Sequence, residues 1–381
     1  MHGKLFVIGL VLLCLSGNAV AQVQEEKIET LETSGVDKSY SRAQVLSFTG
    51  LSTAFSVLTV TGIGFVDPAD LAAFRLPWWL YATMGAEHLP LYLLHSPLAP
   101  AYTIAEAGLL GLHFGTLKSP FITEIAMNSY AMTGFYSTYE IYKETRLNSA
   151  PGIYPESWES YGLGELFTAS FALENLMHPA FYIPVGISTA LNILSSLDSE
   201  TAIWKTGKAY IEGNEYPLSV AIPLVIGRNI LQFTVTAIGE EALYRGVIYE
   251  ELKVSLDPLL AKACDMVVFP LIHVGSDLAR GRPLGELFMR FGIRAASTLL
   301  FDIAYDLGGL PLSTAIHTWF NTVSFSLRWA ASSGVDSSAP EGDTVSLTAN
   351  PPISLSVFWV KSPGVDEPLR ALPAVKFSFA F

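Results

Sequence analysis

Two adjacent glutamates and an arginine stand in an apolar part of the chain, where charged side chains are costly. Glu240, Glu241 and Arg245 follow closely on an apolar run with helical character. Positions 241 and 245 are one helical turn apart, so their side chains can pair on one face and lower the cost of burial. Glu240 is rotated away from that face and is left free for another task. Ionisable groups at membrane depth usually mark a functional site.

Two later segments supply histidines. His273 closes an apolar stretch, with Phe269 four residues before it on the same helical face. His317 and Asn321 lie one turn apart in the last long apolar run, so both can point into one cavity. Each motif alone has a plain alternative: the glutamates can be the charged end of a span, and a single histidine is commonly a hydrogen-bonded core residue. Three apolar segments that all carry polar groups favour one shared site, because unpaired polar groups are costly there.

The three motifs occur in a fixed order on successive predicted helices. The patterns Glu-Glu-x-x-x-Arg, Phe-x-x-x-His and His-x-x-x-Asn resemble those of the CPBP family of intramembrane proteases. This family comprises the CAAX prenyl proteases and bacteriocin-processing enzymes and is also called Abi. The resemblance covers residues 217–331 and implies a water-activating intramembrane endopeptidase. The implied roles are water activation by Glu240 and His273, oxyanion binding by His317 and Asn321, and support of the helix by Glu241 and Arg245.

Whether a metal takes part stays open at this point. Glu240, His273 and His317 can form a Zn²⁺ set with water in the fourth position, and members of the family are often described as metalloproteases. The same groups can activate water directly. Asn321 suits an oxyanion site better than a zinc shell, which favours the metal-free route. No His-Glu-x-x-His pattern of a zincin helix is present in the sequence.

The composition predicts that these motifs lie on membrane helices. Of 381 residues, 50% are hydrophobic and only 15% are charged, whereas an ordinary soluble domain carries about 25% charged residues. The mean hydropathy is +0.39. A net charge of -13 argues against a nucleic-acid partner. We therefore predict an all-α, polytopic transmembrane helix bundle of about eight spans.

Changes in composition divide the chain into six predicted parts. A short basic start, an apolar run and Ala19-Val20-Ala21 indicate a cleaved signal peptide, with an uncleaved signal anchor as the alternative. The tail alternates apolar and polar residues, which predicts a small extramembrane β-hairpin; a barrel assembly signal is the less favoured reading. The predicted parts are a signal peptide at 1–21, a polar linker at 22–43, an N-terminal membrane region of unknown role at 44–196, a hydrophilic connection at 197–216, the protease-like domain at 217–331 and the tail at 332–381.

The signal peptide suggests a bacterial cell, and the apolar runs then predict a multi-pass protein of the inner (cytoplasmic) membrane. The expected partners are the lipid bilayer and a peptide or membrane-protein substrate. A different class of function is also open: a non-catalytic scaffold or immunity-type protein that keeps the same fold. The intact motif residues favour the enzyme, since a scaffold could lose them without consequence.

Overall fold

A computed structural model describes residues 39–65, 78–115, 120–155, 158–279, 282–335, 353–361 and 371–379. The predicted signal peptide and most of the polar linker lie outside these described residues. The cysteine that remains after the predicted cleavage, Cys264, is a half-buried free thiol.

The N-terminal membrane region consists of helices of very different length. A break between two helices falls at Glu87 and His88, because a new helix with Pro90 in its first turn begins directly after them. The helices are α1 (Arg42–Phe65), α2 (Trp78–Ala86), α3 (Leu89–Leu93), α4 (Ala99–Gly115), α5 (Pro120–Leu147), α6 (Leu163–Ala169), α7 (Leu173–Leu176) and α8 (Pro179–Ser196).

The hydrophilic connection contains more regular structure than the sequence predicts. A short helix, α9 (Ile203–Thr206), ends at Gly207 in the left-handed conformation. It is followed by an antiparallel hairpin of β1 (Ala209–Ile211) and β2 (Asn214–Tyr216).

The C-terminal half is built from three long helical segments. Helix α10 (Leu218–Leu243) continues through a π-helical turn, Tyr244–Tyr249, into α11 (Glu250–Ser255). Helix α12 (Pro258–Ala279) and the 49-residue α13 (Leu284–Ser332) follow.

Helix α13 is interrupted near its middle. Gly308 and Gly309 have non-helical backbone angles, and Gly309 has φ 66° and ψ -166°. A positive φ of this kind is strained for any residue with a Cβ atom. Pro311 follows and has no N–H to donate, so the second half of α13 starts as a new helix.

Four helices of the described residues are long and apolar enough to cross a membrane. They are 42–62, 218–255, 258–275 and 284–332. The predicted helical membrane bundle is therefore confirmed, and the number of about eight spans stays a prediction. In the tail, β3 (Ile353–Lys361) and β4 (Ala371–Phe379) form the expected antiparallel hairpin.

Two close approaches bring the N-terminal region against the helix that carries the glutamates. Helix α10 packs on both α5 and α13. A Cβ atom on Gly239 would lie 2.7 Å from Met132 Cβ, and one on Gly246 would lie 2.7 Å from the ring of Tyr139. Both distances are too short for real carbon atoms, so the two glycines allow α5 to contact the segment that spans the first motif.

Candidate active site

The first motif lies at the junction between α10 and the π-helical turn. Glu240 and Glu241 are in the last turn of α10, with exposed fractions of 8% and 0%. Arg245 is fully buried, and its Nη1 donates to Oε1 of Glu241 at 3.2 Å. The i,i+4 pair predicted from the sequence is therefore present. Single π-helical turns inside α-helices occur often at functional sites.

Arg245 has partners on the neighbouring helices as well. Its Nε donates to Oδ1 of Asp302 at 3.0 Å, and its Nη2 donates to the backbone oxygen of Thr298 at 3.2 Å. The carboxylate of Asp265 lies 3.7 Å from Nε. All three acidic partners of the arginine are fully buried. One guanidinium thus joins α10, α12 and α13 through groups that would be costly to leave unpaired.

His317 contacts both glutamates of the first motif. Its Nδ1 lies 2.7 Å from Oε1 of Glu241, and its Nε2 lies 3.6 Å from Oε2 of Glu240. The imidazole is stacked on Phe301, with a ring-centroid distance of 4.6 Å and an angle of 20°. The ring is therefore held on its face by an aromatic side chain and at Nδ1 by a carboxylate.

His273 and His317 both contact the ring of Phe269. Phe269 packs edge-on against His273 with ring centroids 5.3 Å apart, and against His317 with centroids 6.3 Å apart. The same ring lies under the guanidinium of Arg245 at 5.0 Å. His273 is half-buried, as is Asn321, which lies one helical turn after His317 on α13. The structure thus collects residues from all three motifs around Phe269 and His317.

Three residues of the candidate site were not predicted from the sequence. Asp265, Asp302 and Phe301 complete the surroundings of Arg245 and His317. The two aspartates could have been identified as candidates from the sequence, since each stands inside an apolar run where an ionisable residue is unusual. Phe301 could not have been identified in this way, because aromatic residues are common throughout this chain.

The proposed zinc ligands do not form a compact set in this arrangement. Glu240, His273 and His317 do not bring three ligand atoms within 4.8 Å of one another, although other described residues do. The residues therefore do not fit a zinc shell as they stand, and we assign no step to a metal at this site.

Comparison with known proteins agrees with the motifs. Residues 223–323 match the family model of the type II CAAX prenyl endopeptidases described as Rce1-like. This region is similar to the Rce1-like family. The Rce1-like region contains all six motif residues and falls within the predicted domain 217–331. No curated protein and no solved structure matches the chain.

The match to the Rce1-like family model has two consequences. It implies CAAX-type endopeptidase activity, and together with the apolar helices it indicates a multi-pass membrane protein. The match begins within α10 and ends within α13, so the N-terminal membrane region lies outside it.

Proposed function

We propose that the protein is an intramembrane endopeptidase in which Glu240 activates a water molecule and His317 binds the oxyanion. The observation that carries this proposal is the position of His317, with Glu241 at one ring nitrogen and Glu240 at the other. Glu240 and His317 are on different helices, so their proximity results from the fold. Peptide hydrolysis needs such a combination of a base and a hydrogen-bond donor.

Glu240 is placed to act as the general base. Its Oε2 is 3.6 Å from Nε2 of His317, which is too long for a direct hydrogen bond. A single water can contact both atoms at that separation. Glu240 takes a proton from this water as the oxygen attacks the scissile carbonyl carbon. The same proton then passes to the leaving amine as the C–N bond breaks, so the carboxylate is regenerated.

His317 is suited to stabilise the negative charge that develops on the carbonyl oxygen. Glu241 orients the ring through Nδ1, so that an N–H at Nε2 is the donor that faces the developing oxyanion. Asn321, one turn further along α13, supplies a second donor from its side-chain amide. Loss of one such donor costs about 3–4 kcal/mol of transition-state stabilisation in well-studied proteases.

His273 is proposed as the second group that holds the water, and Arg245 as a positioning residue. His273 shares the ring of Phe269 with His317. Arg245 holds the carboxylate of Glu241, which in turn holds His317. The orientation of the imidazole therefore depends on a chain of contacts that begins with the arginine.

The proposed setting is the inner membrane of a bacterial cell, with a peptide or membrane-protein substrate. The Rce1-like match makes a peptide with a C-terminal CAAX sequence the first substrate to test. Such peptides can be offered with and without a prenyl group, so the same assay measures the need for a lipid on the substrate.

The test uses the full chain reconstituted in lipid vesicles with CAAX peptides, and cleavage is followed by mass spectrometry. Glu240→Gln keeps the size of the side chain and removes the base, so the rate should fall by roughly 100-fold or more. The cleavage rate of the His317→Ala variant should fall by a similar factor. Glu174→Gln, an exposed carboxylate on α7, is the matched control and should keep the wild-type rate.

The same variants separate the enzyme from a non-catalytic scaffold. Wild-type cleavage by Glu240→Gln at normal membrane levels would refute the role of the base. If the protein is a scaffold, the wild-type chain should cleave none of the peptides. Cells that carry Glu240→Gln or His317→Ala should then keep the wild-type phenotype.

A further inference from the structure

Three ligand-type side chains meet in the N-terminal membrane region, outside the Rce1-like match. Glu87 and His88 occupy the break between α2 and α3, and Glu106 lies in α4. Each can offer one ligand atom such that all three atoms lie within 4.8 Å of one another. Their exposed fractions are 1%, 3% and 6%. The group is therefore a buried site built from two carboxylates and one imidazole.

Polar atoms of this group lack the partners that burial normally requires. Neither ring nitrogen of His88 has a hydrogen-bond partner among the described residues, and neither has Oε1 of Glu106. Nε2 of His88 and Oε1 of Glu106 are 2.7 Å apart, but the angles do not make a hydrogen bond. Buried polar atoms without partners usually indicate a missing water or ion.

The surroundings hold the carboxylate of Glu87 in place. Its Oε1 accepts from the hydroxyl of Tyr130 at 3.1 Å, and its backbone oxygen accepts from Ser52 at 2.9 Å. A Cβ atom on Gly134 would lie 2.5 Å from Oε2. Helix α5 therefore makes room for this carboxylate with a glycine, and the ring of Tyr102 lies beside His88 at a centroid distance of 5.6 Å.

The charge of the group is unbalanced by protein side chains. In the described part of the chain, neither Glu87 nor Glu106 forms an ion pair with lysine or arginine. Two buried carboxylates repel each other and are strongly disfavoured in a low-dielectric interior unless a cation or protons neutralise them. A divalent cation would cancel both charges.

We infer that Glu87, His88 and Glu106 bind a divalent transition-metal ion of the Zn²⁺ type. Two carboxylate oxygens and one imidazole nitrogen are a common ligand set for such ions, with water in the remaining position. The ion joins the corner between α2 and α3 to α4, next to α5. Because α5 also contacts Gly239 and Gly246, the ion stabilises the support against which the first motif packs. The site is separate from Glu240 and His317, which are on other helices.

The primary test measures bound metal in the full chain. The protein is purified in detergent with a tag that contains no histidine, equilibrated with Zn²⁺ and freed of excess ion by gel filtration. Mass spectrometry of the metal content should give about one Zn²⁺ per wild-type chain. His88→Ala combined with Glu106→Gln should lose the ion, whereas Glu240→Gln combined with His317→Ala should retain it.

Each outcome decides the proposal. A wild-type chain that binds neither Zn²⁺ nor Mn²⁺ in this experiment overturns it and leaves shared protons as the neutralising charge. Loss of the ion from the Glu240/His317 variant, with retention in the His88/Glu106 variant, would place the metal in the candidate active site and also overturn it.

A second pair of variants keeps the test informative if the double variant does not fold. Glu106→His exchanges one ligand for another and should retain Zn²⁺, whereas Glu106→Gln should bind it at least tenfold more weakly. Zn²⁺ should raise the melting temperature of the wild-type chain and of Glu106→His. X-ray absorption should show nitrogen and oxygen ligands at about 2.0–2.2 Å. Equal Zn²⁺ affinity in both variants, or sulfur ligands, would contradict the assignment.

Discussion

Nδ1 of His317 lies 2.7 Å from Oε1 of Glu241, and the same oxygen accepts a hydrogen bond from Nη1 of Arg245 at 3.2 Å. Glu241 therefore links the histidine of the last helix to the arginine of the first motif. The carboxylate fixes which ring nitrogen faces Glu240, as carboxylates do for many catalytic and metal-binding histidines. It follows that the second glutamate of the motif orients His317 as well as pairing with Arg245.

Replacement of Glu241 by glutamine should lower kcat and leave KM nearly unchanged. The amide keeps the size of the side chain but removes the charge that holds His317 and Arg245, and changes of this kind cost roughly 10–100-fold in activity. Initial rates on reconstituted protein measure both constants. Glu286→Gln, in a partly exposed carboxylate on α13, serves as the control. Rates equal to those of the control would remove Glu241 from the positioning chain.

Arg245→Lys should destabilise the protein despite keeping the charge. The guanidinium makes three directed hydrogen bonds, to Glu241, Asp302 and the backbone of Thr298, and an ammonium group cannot reproduce that planar fork. We expect a loss on the order of 3 kcal/mol, since partners in a buried ionic cluster are left unpaired. Thermal unfolding in detergent, compared with Arg282→Lys in a partly exposed pair, tests this. A melting temperature equal to that of the control would contradict it.

Gly246→Ala should weaken the packing between the N-terminal membrane region and the Rce1-like region and so destabilise the protein. The new methyl group would lie 2.7 Å from the ring of Tyr139, and overpacking of this kind costs about 1–3 kcal/mol. The change is measured as a lower unfolding temperature. Gly227→Ala on the same helix meets nothing within 4 Å, so it should be neutral or slightly stabilising. Equal effects of the two substitutions would mean that the contact with α5 contributes little.

Gly309→Ala should destabilise the break in α13. Gly309 has φ 66° and ψ -166°, a backbone region that is nearly restricted to glycine, and holding alanine there costs about 1–3 kcal/mol. Because the break sets the direction of the half-helix that carries His317, activity should fall together with stability. Gly292→Ala, in an open position of the same helix, is the control. Unchanged stability of Gly309→Ala would show that the backbone can rearrange without loss.

The features that the sequence predicts well are local ones. Glu241 and Arg245 pair because positions four apart on a helix always share a face. The helical membrane class follows from composition, because a chain this apolar and this poor in charge must bury its backbone hydrogen bonds within helices when lipid surrounds it.

Contacts between helices were decided by the tertiary structure alone. The rotation of α13 against α10 brings Nδ1 of His317 to Glu241, 76 residues earlier, and the packing of α2 and α4 brings His88 to Glu106. Asp265 and Asp302 meet Arg245 in the same way. Such pairings depend on how side chains fill the space between helices, which no spacing along one helix specifies. The sequence by itself therefore determined the candidate residues and the helices on which they stand, whereas three-dimensional packing decided which of them touch.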